Sequence, residues 1–301
     1  MKQVRPKKNL GQHFLTDLNI AKRIADTVDE PYAELPVLEV GPGMGVMTQY
    51  LVEKPRPLKV VEIDRESVAY LSERFSWNVD DSSRSEECGV RSENSSVADT
   101  EHDSNLTPPS SLLTPQIISA DFLRMDLREV FDGQQFVLTG NYPYDISSQI
   151  FFKMLDNKDL IPCCTGMIQH EVAVRMAAKP GNKQYGILSV LIQAWYDVEY
   201  LFTVEPGVFN PPPKVQSAVI RMTRNAVTDL GCDEKLFKRI VKATFNQRRK
   251  MLRVSLRQIL NADSQLLSPD SSDPMMTRRP EQLSIPEFID LTNKVAQELT
   301  C

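Results

Sequence analysis

No stretch of this 301-residue chain approaches the roughly 20 consecutive apolar residues needed to cross a bilayer, and its basic N-terminus leads into no apolar segment. Both absences predict a cytoplasmic protein. Cysteine is scarce as well. The five present (Cys88, Cys163, Cys164, Cys232 and Cys301) contain no C-x-x-C pair, and their odd number suits a reducing compartment, which argues against structural zinc and a disulfide framework. The three histidines, His13, His102 and His170, join no acidic residues at metal-ligand spacing and suggest no Ser/His/Asp triad. No metal is therefore expected. A surplus of positive charge is missing too, since the net charge is −5, which at first sight speaks against a nucleic-acid partner.

What is present changes that reading once charge is divided along the chain. Residues 77–115 hold eight acids against two bases, so the remainder carries +1. This segment is rich in serine, lacks hydrophobic periodicity and contains Pro108-Pro109, as expected of a disordered acidic insertion without a catalytic role. Residues 235–257, by contrast, carry nine bases and no acid, and Lys2, Arg5, Lys7 and Lys8 form a basic N-terminal arm. Lys235, Lys238, Arg239 and Lys242 share one helical face by spacing, and Arg249, Arg253 and Arg257 a second. A charge run usually marks a solvated face. The lack of any acid here favours contact with an RNA backbone.

The 41 % hydrophobic content is ordinary for a globular protein with a sizeable core. Between Pro36 and about Met222, apolar runs that read as strands alternate with helical patterns. Residues 37–40, 58–63, 116–120 and 136–139 are predicted strands, with helices over 46–52 and up to Phe75. Alternation of this kind predicts an α/β fold with a mainly parallel sheet, whose ligands gather at the carboxyl ends of the strands. From Asp233 onward the pattern is helical. The expected division is a larger domain over residues 1–228 and a smaller helical, RNA-binding domain over 229–301.

The predicted strand ends hold the candidate chemistry. Glu39-Val40-Gly41-Pro42-Gly43-Met44-Gly45 places glycines between a strand and a helix, where the backbone can approach a ligand and free amide groups await it. Its spacing is G-x-G-x-G, not the G-x-G-x-x-G of a dinucleotide pyrophosphate site, which favours a ligand such as S-adenosylmethionine. Glu62 stands 21 positions after Gly41, at the second strand end, where a carboxylate can accept ribose hydroxyls. Asp64 competes for that role, and either acid can equally be a helix cap. At the third strand end, Asp121 can accept from an adenine amine beside Phe122, although an aspartate there is as often only a cap.

Asn141-Tyr142-Pro143-Tyr144 follows the fourth strand. Asn, Pro and Tyr also occur in plain turns. With three upstream strand ends supplying glycine, glutamate and aspartate, the tetrapeptide reads instead as a grip for a flat base bearing an exocyclic amine. The Asn141 side-chain oxygen and a backbone carbonyl before or at Pro143 accept the two amine hydrogens, while Tyr144 stacks on the base.

These motifs, together with Asn9-Leu10-Gly11-Gln12-His13-Phe14-Leu15, Ala120-Asp121-Phe122-Leu123, the run from Phe209 through Pro211-Pro212-Pro213 to Val219, and Phe245-Asn246-Gln247-Arg248-Arg249-Lys250, make the chain resemble the KsgA-type small-subunit ribosomal RNA adenine dimethyltransferases. These belong to the wider adenine-N6 methyltransferases that include the Erm enzymes. The resemblance spans nearly the whole chain outside the insertion. It implies a Rossmann-like S-adenosylmethionine-dependent methyltransferase sheet with a smaller C-terminal helical domain. Gln12, His13 and Leu15 would line the methionine end of the cofactor, the Gly41 and Gly43 backbone would cradle it, Glu62 and Asp121 would hold ribose and adenine, and Asn141 would contact the cofactor as well as the target amine. Asn141, Pro143 and Tyr144 would bind the target base, with Phe209 the ring on its other face.

Two residues depart from the family pattern. His13 stands where asparagine is common, and Tyr142 replaces a commoner leucine. The implied activity is dimethylation of two adjacent adenines in the hairpin loop near the 3′ end of small-subunit rRNA, within a pre-30S particle and by a monomer. An Erm-like enzyme acting on large-subunit rRNA, a DNA adenine methyltransferase and an assembly or transcription factor that keeps the fold are the rival readings.

Overall fold

The computed structural model describes residues 6–7, 12–80, 115–261, 264–268 and 273–300. Its strands are β1 (Phe14–Leu15), β2 (Val37–Val40), β3 (Leu58–Glu62), β4 (Val79–Asp80), β5 (Gln116–Ser119), β6 (Val137–Thr139), β7 (Cys163–Gln169), β8 (Tyr196–Val204), β9 (Phe209–Asn210) and β10 (Ser217–Arg224). Its helices are α1 (Leu18–Asp26), α2 (Thr48–Leu51), α3 (Arg65–Phe75), α4 (Ser147–Asp156), α5 (His170–Ala177), α6 (Ile187–Gln193), α7 (Glu234–Asn246), α8 (Leu252–Ser255) and α9 (Ile285–Thr300). Residues 1–146, 159–166 and 206–213 form one compact unit, and 147–158, 167–205 and 214–301 a second.

The first unit is built on parallel strands in the order β4-β5-β3-β2-β6-β7, the α/β arrangement expected from the alternating pattern. A strand covered on both faces is buried along its length, and all four residues of β2 are buried, Glu39 among them. From β2 the chain moves to β3 on one side, yet β6 is the neighbour on the other. This reversal opens a crevice at the carboxyl ends of β2 and β6. Helix α3 begins where Asp64 accepts the Glu66 N–H and ends at left-handed Ser76.

Residues 77–80, assigned by composition to the acidic insertion, belong instead to the fold. Trp77 is buried and stacks on Phe75 with ring centroids 4.6 Å apart, and β4 pairs with β5. An aromatic anchor and one edge pairing outweigh the polar character of the following sequence. Residues 81–114 of the expected insertion, and Lys2, Arg5 and Lys8 of the basic arm, lie outside the described residues.

In the second unit β8 and β10 pair antiparallel, from Ser217 opposite Val204 to Arg224 opposite Tyr196. Helix α7 starts at Asp233, whose carboxylate accepts the Leu236 N–H at 2.7 Å, and buries Phe237, Ile240 and Val241. Its cationic stripe forms as the spacing predicts, but it is partly engaged. Lys238 pairs with Asp156 at 2.8 Å and lies with Lys242 over the Phe152 ring, whereas Lys235 and Arg239 are exposed.

The second predicted stripe is not continuous. Helix α7 ends at Asn246, the Lys250 N–H turns back to the Gln247 carbonyl, and Met251 is extended, so Arg249 lies off the helix that carries Arg253. After the restart Leu252 and Leu256 are both buried.

Candidate active site

One cavity opens along the strand ends of the first unit, and its lining includes residues from every predicted cofactor motif. At the end of β2, Gly41, Gly43 and Gly45 all have positive φ (68°, 56° and 72°), a conformation that side chains disfavour. The Gly43 N–H donates to Glu62 Oε2 at 3.1 Å, tying the turn to the neighbouring strand end.

Glu62 is 5 % exposed, and its other oxygen accepts the N–H groups of Ile63 and Asp64, each at 2.9 Å. Burial pushes its carboxyl above the ordinary value, opposed by these backbone donors. A carboxylate offers about four acceptor directions, so three backbone bonds leave roughly one for a ligand hydroxyl. Asp64, the rival, is outside the cavity lining and serves Ser67, the Glu66 N–H and Lys7. Of the two acids, Glu62 alone lines the cavity.

Asp121 is both a cap and a cavity residue. Its Oδ1 accepts the Leu123 N–H at 2.9 Å as a cap, and the residue lines the cavity beside buried Phe122. Ile63, 53 % exposed, lines the cavity too and was missed by motif reasoning. An apolar residue directly after a strand-end acid was the available signal. Glu39, buried beneath the glycine turn, was quoted in the motif but given no role.

At the end of β6 the Asn141 side chain donates from Nδ2 to the His13 carbonyl at 3.2 Å. That bond turns Oδ1, the acceptor end of the amide, the opposite way. The His13 ring stacks on Tyr144 at 5.6 Å between centroids and donates from Nδ1 to the Pro211 carbonyl at 2.8 Å, a pairing that requires the Nδ1 proton. Gln12, His13 and Leu15 line the cavity together with Pro143.

Tyr142 does not reshape the cavity with its ring. The phenol is 1 % exposed, donates to the Thr165 carbonyl at 2.9 Å, and fills space left by two glycines. A Cβ on Gly166 would come within 2.3 Å of the Gly140 carbonyl and 2.8 Å of the Tyr142 ring. Burial raises the phenol's pKa well above its ordinary value, so it acts as a neutral donor.

Phe209 is the one implied site residue that the structure leaves outside the cavity. Its ring is buried at 4 % exposure because β9 pairs with β1, setting Phe209 opposite Leu15.

The chain matches the family described as ribosomal RNA adenine dimethylase over residues 3–86 and 91–296. It belongs to this family. Relatives named ribosomal RNA small subunit methyltransferase A bear this out. The protein of Bacteroides fragilis is 61 % identical over 99 % of this chain and 95 % of its own length. That of Bacteroides thetaiotaomicron is 60 % identical over 99 % and 97 %. The fold is shared with a dimethyladenosine transferase from Plasmodium falciparum, at a TM-score of 0.67 and 19 % identity over 96 % of this chain and 98 % of that one.

As a member of the dimethylase family the chain is a methyltransferase that uses S-adenosylmethionine. The cavity fits that donor. It offers a buried carboxylate beside an amide-lined glycine turn for a ribose, a second acceptor at Asp121, and apolar Ile63 and Phe122 for a flat base.

Proposed function

We propose that this dimethylase methylates the N6 nitrogens of two adjacent adenines in the hairpin loop near the 3′ end of small-subunit rRNA, acting as a cytoplasmic monomer on a pre-30S particle. Support for the subunit comes from the relatives named as small subunit methyltransferases. The cofactor supplies a methyl group on a sulfonium, an electrophile that needs only a correctly aimed lone pair. Everything else falls to the chain's own residues.

The adenine amine is a weak nucleophile because its lone pair is delocalised into the ring. Asn141 Oδ1 accepts one amine hydrogen and the Tyr142-Pro143 backbone the other, which concentrates the lone pair on the nitrogen and points it at the methyl group. Tyr144, backed by His13, is the stacking face for the base. No strong base is required, since the proton leaves after the nitrogen has become cationic. Glu62 holds the ribose, Asp121 reads the cofactor's adenine amine, and Gln12, His13 and Leu15 enclose the methionine end. Loop adenines are already largely unstacked, which lowers the cost of extrusion.

The observation that carries this reading is the Asn141 to His13 bond, because it fixes the amide with its acceptor turned away from the backbone it is tied to. RNA contact is assigned to the helical segment 229–301, chiefly to exposed Lys235 and Arg239. Mass spectrometry of rRNA after incubation of unmethylated 30S and 50S particles with enzyme and labelled cofactor tests the assignment. A pair of dimethyladenines in 16S rRNA is expected; label confined to 23S rRNA refutes it.

A further inference from the structure

Lys7 belongs to the basic N-terminal arm, yet its ammonium is spent within the protein. Nζ lies 2.6 Å from Asp64 Oδ1 and 3.2 Å from Glu66 Oε1. The Asp64 side chain is 2 % exposed, so it is a buried carboxylate. Around the pair the backbone closes a second link. The Lys7 N–H donates to Gln12 Oε1 at 2.9 Å, the Gln12 N–H returns to the Lys7 carbonyl at 3.4 Å, and Gln12 Nε2 approaches Asp64 Oδ2 at 3.5 Å. The Asp64 N–H, in turn, is held by Glu62 Oε1. One lysine is thereby connected to both Gln12 and Glu62, which line the cavity from different segments of the chain.

Two physical effects follow. Asp64 and Glu62 are buried acids two positions apart, and each disfavours the charge of the other; a cation on Asp64 relieves this. Lys7 also supplies a tether, because residues 12–15 otherwise hold their place against the sheet through the two-residue pairing of β1 with β9 and a few side-chain bonds.

We propose that Lys7 is a positioning residue for cofactor binding: its ion pair with Asp64 latches the segment Gln12 to Leu15 along the S-adenosylmethionine cavity. This rests on the reading of that cavity as the cofactor site. The latch acts on donor affinity and not on transfer at saturating donor, because Lys7 touches none of the groups assigned to the target amine and bound donor itself holds His13, whose carbonyl orients Asn141.

Calorimetric titration of S-adenosylmethionine into the full-length, RNA-free protein tests it, with K7M, K7R and D121A compared at low and high salt. K7M is expected to weaken donor binding by about three- to ten-fold, the scale of a charge-assisted bond with one buried partner. KM for the donor should rise by the same factor with kcat unchanged, and K7R should restore both. The wild-type affinity should fall with salt more steeply than that of K7M, since the lysine is partly exposed. If K7M binds the donor as tightly as wild type and loses only RNA affinity, the latch is wrong and Lys7 is an RNA contact. A loss of kcat at saturating donor, or a K7M defect that K7R does not repair, also overturns it. D121A separates the premise from the proposal. Unchanged donor binding in D121A sinks the cavity reading, whereas loss in D121A with none in K7M sinks the latch alone.

Discussion

Replacing Glu39 by glutamine should stabilise the protein at neutral and alkaline pH while changing it little in acid. Glu39 is 1 % exposed in β2, and its carboxyl accepts a 2.7 Å bond from the Thr48 hydroxyl. Among the described residues no cation offsets it, and the Thr139 hydroxyl, opposite it in register on β6, has no hydrogen-bond partner. Burial therefore pushes the group from its ordinary 4.5 up to about 8, with nearby Glu62 adding to the shift. A carboxyl whose pKa is raised by folding favours the folded state below its unfolded value, and that advantage is lost as pH rises towards the folded value.

Between about pH 4.5 and 8 the unfolded chain ionises Glu39 while the folded one holds its proton, so stability falls with pH throughout that window. The two values give a cost of about 3 kcal/mol at pH 7, approaching about 5 kcal/mol above pH 8. Glutamine can still accept from Thr48 and never ionises. Urea denaturation of both proteins without cofactor, from about pH 5 to pH 9, should show a stability difference of about 1 kcal/mol at the acid end that grows to several kcal/mol in alkali. A difference that does not vary with pH would refute the reasoning.

Tyr142→Phe removes a buried donor and its bond to the Thr165 carbonyl, so about 0.5–1.5 kcal/mol of stability should be lost, measured by urea denaturation. Donor affinity should stay within about two-fold in calorimetry, because the phenol faces the sheet and only the backbone of this residue is assigned to the site. Lys235→Ala with Arg239→Ala should weaken binding to 30S particles and flatten its salt dependence by up to about two charge units in a filter-binding titration, without altering donor affinity. An unchanged salt slope would remove α7 from the RNA interface.

The sheet was legible because its strands are short apolar runs separated by helical periods, and each of β2, β3, β5 and β6 falls within a residue or two of its expected place. Its strand ends were legible for the same reason, since Gly41, Glu62, Asp121 and Asn141 follow strands whose order a parallel sheet constrains. Long-range pairing left no such trace. Phe209, implied by the resemblance as the ring on the far face of the base, lies buried outside the cavity through the two-residue match of β9 with β1. Lys7 reads as one more base in a basic arm until the buried carboxylate of Asp64 is placed beside it. The Arg249 stripe failed where the helix ends at Asn246 and restarts at Leu252, and residues 77–80 were hidden by averaging Trp77 with the acids that follow.

The central claim is that Asn141 grips the amine that is methylated, and single-turnover transfer by Asn141→Ala tests it most directly. With donor affinity measured alongside by calorimetry, loss of one of two polarising acceptors should slow transfer to 16S rRNA by about 10²- to 10³-fold, while donor binding stays within a few-fold of wild type. Transfer at the wild-type rate, or a defect explained entirely by lost donor binding, would contradict the account.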